Sequence, residues 1–232
     1  MISFKNSVIG FDSPLFSVDQ MDFEKGKVHV LMGKNGIGKS AFLNTISGLL
    51  KSLKGSLLVS NKELADYSSK ELSRHVAYVN SNPMGVPFLS VDAYLLLGRS
   101  NFTNIFGKHT ASDFSIINEV KSTFGITHLS SKYTNQLSSG ELHLCAIAKA
   151  YVQQTNYILL DEPTSHLDYT NKKKVYELLH KISKEDNIGI LISTHDLDLA
   201  FKFPFEFYLI KSADKKLHQI KTFDAVEQEF ST

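Results

Sequence analysis

An α/β domain built on a mostly parallel sheet is the fold this sequence predicts, on three observations. Short apolar runs recur at 28–32 (VHVLM), 56–59 (SLLV), 76–79 (VAYV), 157–160 (YILL), 188–192 (IGILI) and 206–210 (EFYLI). Several are apolar throughout and bounded by Gly, Asp or Ser, as strands buried on both faces are. Helical patterns lie between them at 39–50, 113–124, 140–153 and 169–184. Strands alternating with helices are the mark of a parallel sheet.

The first run leads directly into GKNGIGKS at 33–40, and the helical stretch AFLNTISGLL follows. The runs at 56–59 and 76–79 continue the sheet. From Pro83 and Pro87 onward the alternation stops, and the chain reads as helices only as far as 153. Phe114, Ile117, Val120 and Phe124 fall on one face of the 113–124 helix. Strands resume at 157–160, followed by the 169–184 helix and the last two runs. The expectation is a single domain over 1–232, its core at about 1–82 and 154–232, with a helical subdomain inserted at about 83–153.

Composition narrows the partners. A net charge of +1 gives no basic surface for nucleic acid or an anionic membrane. Only Arg74 and Arg99 are arginines, and lysine is the poorer group for bidentate readout of bases or phosphates. No nucleic-acid partner is expected. The one cysteine, Cys145, excludes an internal disulfide and sits in an apolar run, where a small buried hydrophobe is expected. MISFKNSVIGFDSP lacks the pattern of a signal peptide, and no apolar run approaches the roughly 18 residues of a membrane span. A soluble, cytoplasmic protein is expected.

GKNGIGKS matches G-x-x-x-x-G-K-[ST] in the strand-then-helix setting that motif requires. Gly33, Gly36 and Gly38 let the backbone of Lys34, Asn35 and Ile37 curl so that successive N–H groups point inward. A polyphosphate meets those donors and the positive end of the following helix. Lys39 then reaches the β and γ phosphates, and the Ser40 hydroxyl ligates Mg²⁺. YILLDEP at 157–163 supplies the second half of the site. A buried strand delivers Asp161 to the C-terminal edge of the sheet, where it can hold the Mg²⁺ shell. Glu162 is placed to polarise an attacking water as a general base.

QLSSGEL at 136–142 carries no obvious catalytic group. Ser138 and Glu141 form a capping box that opens a helix. The Ser139 and Gly140 N–H groups at that helix start also make an anion site.

LSSGE at 137–141, IAKA at 147–150 and LLDEP at 159–163 together resemble the signature block of ABC-type ATPases. SHLD at 165–168 is similar to that family's D-loop, ending in Asp168, and STHD at 193–196 to its switch-histidine loop. The ordered matches run from about residue 2 to 211. The resemblance implies ATP and Mg²⁺ as ligands, with Ser138, Ser139, Gly140, Glu141 and Asp168 closing over nucleotide held by a second copy packed head to tail. It implies that Phe11 stacks on adenine, that Ala41 follows the phosphate loop against the α-phosphate, and that His195 meets the γ-phosphate. An N-terminal antiparallel β subdomain is implied too. So are integral-membrane permease subunits, which would hold the chain peripherally on the inner face of the cell membrane.

LLLGRSNFTNIFGKHTASD at 95–113 and STHDLDLAFKF at 193–203 resemble ATPase subunits of importers for iron(III)-siderophores, haem and cobalamin. Exporter ATPases share the catalytic motifs and stay open as an alternative, and so, less well supported, do non-transport ABC ATPases. The cargo is not written in this chain. Four departures from the family pattern carry expectations of their own. Ala41 removes a hydroxyl near the α-phosphate, and Ser139 stands for a glycine. His143 and Leu144 replace a polar pair and should thin the hydrogen bonding around their helix. Ser81, flanked by Asn80 and Asn82, stands where the family has a metal-touching glutamine.

Overall fold

The computed structural model describes residues 1–103, 108–223, 226, 229 and 230. The chain opens with an antiparallel pair, β1 (Ile2–Gly10) and β2 (Pro14–Phe23), and β3 (Val28–Met32) then leads into α1 (Lys39–Ile46). β4 (Lys54–Val59), the two-residue β5 (Lys62–Glu63), the short α2 (Ser69–Leu72) and β6 (Val76–Val79) follow. Next come three helices, α3 (Val91–Leu96), α4 (Ala111–Thr123) and α5 (Ser139–Val152). β7 (Tyr157–Asp161), α6 (Tyr169–Glu185), β8 (Gly189–Ser193), α7 (Leu197–Ala200), β9 (Glu206–Lys211) and β10 (Lys216–Ile220) complete the order.

All ten strands join one sheet in the order β5-β4-β1-β2-β10-β9-β3-β8-β7-β6. The run β9-β3-β8-β7-β6 is parallel throughout. β1 pairs antiparallel with both β2 and β4, which makes the other end of the sheet an antiparallel β region. The mixed α/β class read from the sequence holds.

The reason the central strands read as continuous apolar runs is visible in their packing. Val28, Val30 and Met32 of β3 join the core on one face of the sheet, while Leu31 joins the core on the other. Ile158 and Leu160 of β7 alternate with Tyr157 and Leu159 in the same way, as do Ile190 and Ile192 of β8 with Leu191. One core contains Phe42, Leu43 and Ile46 of α1, and the other contains the buried faces of α4, α5 and α6. A strand covered on both faces has no polar side to show.

β1, β2 and β10 have no counterpart among the apolar runs. β1 is interrupted by Asn6 at φ 48°, and its register against β4 shifts between Lys5 and Val8. β2 carries exposed Asp19 and Gln20 beside buried Phe16, Val18 and Phe23. α1 is shorter than the 39–50 pattern: it ends at Ile46, and the Leu49 and Leu50 amides turn back onto the Asn44 carbonyl. Of the 95–113 stretch, residues 104–107 lie outside the described residues. Its described ends are tied together by a buried ion pair. Arg99 Nε donates to Asp113 Oδ1 at 2.8 Å, and Arg99 Nη1 donates to the Val152 carbonyl and Gln154 Oε1.

Candidate functional site

Three neighbouring parallel strands end at one edge of the sheet, and each delivers a part of the site. β3 runs into residues 33–38, β7 ends on Asp161, and β8 ends on Ser193, which is paired in register with Asp161. Order β3-β8-β7 therefore brings together groups more than a hundred residues apart in sequence.

The 33–38 loop is shaped as a cradle. Gly36 lies at φ 77° and Gly38 at φ 116°, conformations that an L side chain rarely adopts. Gly38 is the N-cap of α1 and no side chain caps that helix, so the first-turn N–H groups remain available to an anion. Lys39 is buried, and its ammonium donates to the Gly33 carbonyl at 2.9 Å. Burial lowers the Lys39 pKa, while Glu162 and Asp161 oppose that shift.

Asp161 is buried and accepts a hydrogen bond from the Ser193 hydroxyl through Oδ1. The same hydroxyl accepts from the Glu162 amide at 3.0 Å, so Ser193 sets the approach of both acidic residues. Glu162 sits at φ 51°, a left-handed conformation uncommon for a residue with a Cβ. Burial raises its carboxyl to about 7; Lys39 opposes the shift and Asp161 adds to it. His195 Nε2 approaches Glu162 Oε1 to 2.8 Å, yet Oε1 has no hydrogen bond of acceptable direction. Burial, and then Lys39, lower the His195 pKa. The contact therefore joins two groups that are each pushed towards the neutral form.

A cavity of about 330 Å³ collects Lys39, Ser40, Ala41, Asp161, Glu162 and His195. Phe11, Asn35, Gly36 and Gly38 line it too, Phe11 being 59 % exposed at its mouth. Gly33, Lys34 and Ile37 support the loop without lining the cavity. Ser81 borders the same space. Among the described residues no group of three or more His, Cys, Asp or Glu side chains converges as a metal cage. Ser40 and Asp161, both lining the cavity, are oxygen donors able to hold Mg²⁺ beside phosphate oxygens.

Ser138, Ser139, Gly140, Glu141 and Asp168 line a different cavity, of about 560 Å³, which shares no residue with the first. The capping box is formed: Glu141 Oε2 accepts from the Ser138 amide and hydroxyl, each at 2.8 Å, and Ser138 Oγ accepts from the Glu141 amide at 3.3 Å. Gly140 packs so closely on Leu167 that a Cβ would lie 2.6 Å from Leu167 Cδ2. Asp168 caps α6, accepting from the Asn171 amide at 2.9 Å.

Two parts of the site were not read from the sequence. Ser193 was only one letter of a motif, and its pairing with Asp161 depends on β7 lying beside β8. Asp196 is clamped by Lys172 at 2.6 Å and by the Thr164 hydroxyl at 2.8 Å, an arrangement between separate elements. One expectation is corrected. His143 does not thin the bonding around α5: its ring is buried, with Nδ1 3.0 Å from the Ser139 carbonyl and Nε2 3.2 Å from the Ser81 carbonyl.

Residues 17–165 match the ABC transporter family. An ABC transporter ATP-binding protein of Haemophilus influenzae, itself uncharacterized, is 37% identical over 198 residues, 84% of this chain and 74% of that one. The iron(3+)-hydroxamate import ATP-binding protein FhuC of Bacillus subtilis is 31% identical over 88% of this chain and 76% of its own. The dimeric structure of MJ0796, a bacterial ABC transporter cassette, superposes with a TM-score of 0.81 at 23% identity, covering 96% of this chain and 100% of that one.

Proposed function

Because the chain belongs to the ABC transporter family, as an ATP-binding and ATP-hydrolysing cassette, we propose that it is the energy-coupling subunit of an importer for iron-siderophore, haem or cobalamin-type cargo. The observation that carries the reading is the single cavity in which Lys39, Ser40, Asp161, Glu162 and His195 meet. In this reading the loop N–H groups and Lys39 hold the β and γ phosphates of ATP. Mg²⁺, taken up between the phosphates, Ser40 and Asp161, would neutralise developing negative charge. Phe11 offers a ring face to the adenine, and Ala41 keeps a backbone N–H towards the α-phosphate. Glu162 accepts the proton of the attacking water, and its raised pKa suits a base working near neutrality. His195 orients that water against the γ-phosphate.

The second cavity belongs to the same reaction in a second copy. Ser138, Ser139 and Gly140 line a space separate from the phosphate loop, at the N-terminus of the 14-residue α5. A helix start attracts anions, so in a head-to-tail pair it would cover the γ-phosphate held by the partner, with Asp168 beside it. The dimeric MJ0796 cassette, which shares the fold, supports pairing of two copies. Residues of about 1–82 and 154–232 act as the ATP-binding core, and 83–153 as the helical part. Among the described residues no helix is long and apolar enough to cross a membrane. In the proposed reading the cassette couples ATP hydrolysis to transport through permease subunits, which would hold the chain on the inner face of the membrane.

The test is uptake. A strain lacking this gene should lose import of radioactive iron supplied as ferric hydroxamate, haem or labelled cobalamin. The wild-type gene should restore one of them, and Glu162→Gln should not. Unchanged uptake of all three in the deleted strain would exclude the cargo class.

A further inference from the structure

We propose that His143 is a positioning residue for ATP hydrolysis, its imidazole fastening the Ser81 backbone to the first turn of α5. The proposal rests on the reading that the phosphate-loop cavity takes Mg–ATP. His143 is 3% exposed, one turn into α5. Its two ring nitrogens face two main-chain carbonyls, Ser139 at 3.0 Å and Ser81 at 3.2 Å. Ser81 lines the phosphate-loop cavity, and Ser139 lines the signature cavity. One side chain thus touches a residue of each. On its other side the ring packs against His166, with centroids 5.1 Å apart, and His166 also lines the signature cavity.

The segment needs such a fastening. Residues 80–89 between β6 and α3 contain neither helix nor strand. Among the described residues, two side chains beyond the segment bond to it. Thr134 Oγ1 accepts from the Val86 amide at 2.8 Å and donates to the Val86 carbonyl at 3.0 Å. His143 holds the other end, at the residue that borders the phosphates in the proposed reading. The Thr134 amide donates to the Leu89 carbonyl at 2.8 Å, and Phe88 meets the Tyr133 ring edge-on with centroids 6.2 Å apart. These ties gather at the 86–89 end, while Met84 is largely exposed.

Chemistry assigns the proton. Both facing atoms are carbonyl oxygens, which only accept, and a neutral imidazole has a single N–H. The Ser139 carbonyl already receives the His143 amide through the helix ladder. The proposal places the hydrogen on Nε2, directed at Ser81, which leaves the Nδ1 lone pair facing the already bonded Ser139 oxygen; in the imidazolium form the ring donates to both. A ring with hydrogen on Nδ1 alone would set the Nε2 lone pair against the Ser81 oxygen and release the segment.

The tests are nitrogen-15 NMR of the free protein and steady-state kinetics with Mg–ATP. His143→Gln, whose amide keeps a donor, assigns the His143 ring signals by their loss. The wild-type ring should show hydrogen on Nε2; a bare Nε2 with hydrogen on Nδ1 overturns the proposal. His143→Leu should lower kcat about five- to ten-fold, the size of one lost hydrogen bond, with KM within about two-fold. His143→Gln should recover most of kcat. Equal losses in both variants, or a raised KM at unchanged kcat, would also overturn it. A wild-type chain that fails to bind Mg–ATP refutes the nucleotide reading instead. The NMR result is read without nucleotide, so the ring assignment is tested in either case, and it decides if His143→Leu does not fold.

Discussion

His195 Nε2 lies 2.8 Å from Glu162 Oε1, across the C-terminal ends of two adjacent parallel strands. Burial pushes the carboxyl up to about 7 and the imidazole down, so the pair is not a strong ion pair at neutral pH. A base must be unprotonated to accept a proton. The raised Glu162 pKa therefore means that the active form is lost as pH falls through about 7. The profile of kcat/KM, which reports the free protein, should show an acid limb near that value. Glu162→Gln should remove the limb and cut kcat at least about a hundred-fold, with nucleotide affinity retained. A full rate in that variant would take Glu162 out of the base role.

Ser40 and Ser81 both border the phosphate-loop cavity, but only Ser40 lies in the first turn of α1, directly after the loop. Ser40→Ala should strongly weaken Mg²⁺-dependent turnover, and Ser81→Ala should change it less than about three-fold. His143 meets Ser81 through the backbone carbonyl, which alanine keeps. A titration of ATPase rate against Mg²⁺ separates the two. A large loss in Ser81→Ala would make its hydroxyl a metal ligand.

Asp113 and Arg99 make a pair buried on both sides, with side chains 4% and 6% exposed. Hydrogen bonds from Thr110, and then from Arg99, hold the Asp113 carboxyl down at about 2. A lowered folded-state pKa stabilises the fold above the ordinary value of 3.8, and the gain is lost as pH falls through about 2. Urea unfolding should therefore show the wild type losing about 2 kcal/mol relative to Asp113→Asn between pH 5 and 2. Arg99→Met leaves a buried carboxylate without its partner and should cost about 3–5 kcal/mol near neutral pH. A loss below about 1 kcal/mol would show that Asp113 is well served by Thr110 alone.

What could be read in the sequence follows from where each residue gets its partners. The 28–32, 157–160 and 188–192 runs were legible because both of their faces are buried. GKNGIGKS was legible because its glycines answer a local backbone need, and the 138–141 capping box because its bonds span three residues. β1 and β2 became strands on the resemblance alone, since their apolar residues are interleaved with exposed polar ones. Ser193 and Asp196 were hidden because their partners, Asp161 and Lys172, are brought to them by tertiary contacts. His143 was misread for the same reason: Ser81, 62 positions earlier in the chain, supplies one of its two partners.

In the proposed reading each ATP is hydrolysed between the phosphate loop of one copy and the signature of another. The direct measurement mixes two inactive variants. Lys39→Ala lacks phosphate binding, and Ser139→Glu places negative charge at the α5 start. Ser139 is chosen because it is exposed, whereas any side chain at Gly140 would collide with Leu167. A two-fold pair of unlike variants has one intact site and one carrying both lesions. Equal mixing should restore roughly a quarter of the wild-type ATPase rate, since half of the pairs are mixed and each has one of two sites. Native mass spectrometry counts the mixed pairs in the same sample. Abundant mixed pairs with no recovered hydrolysis would contradict the shared site.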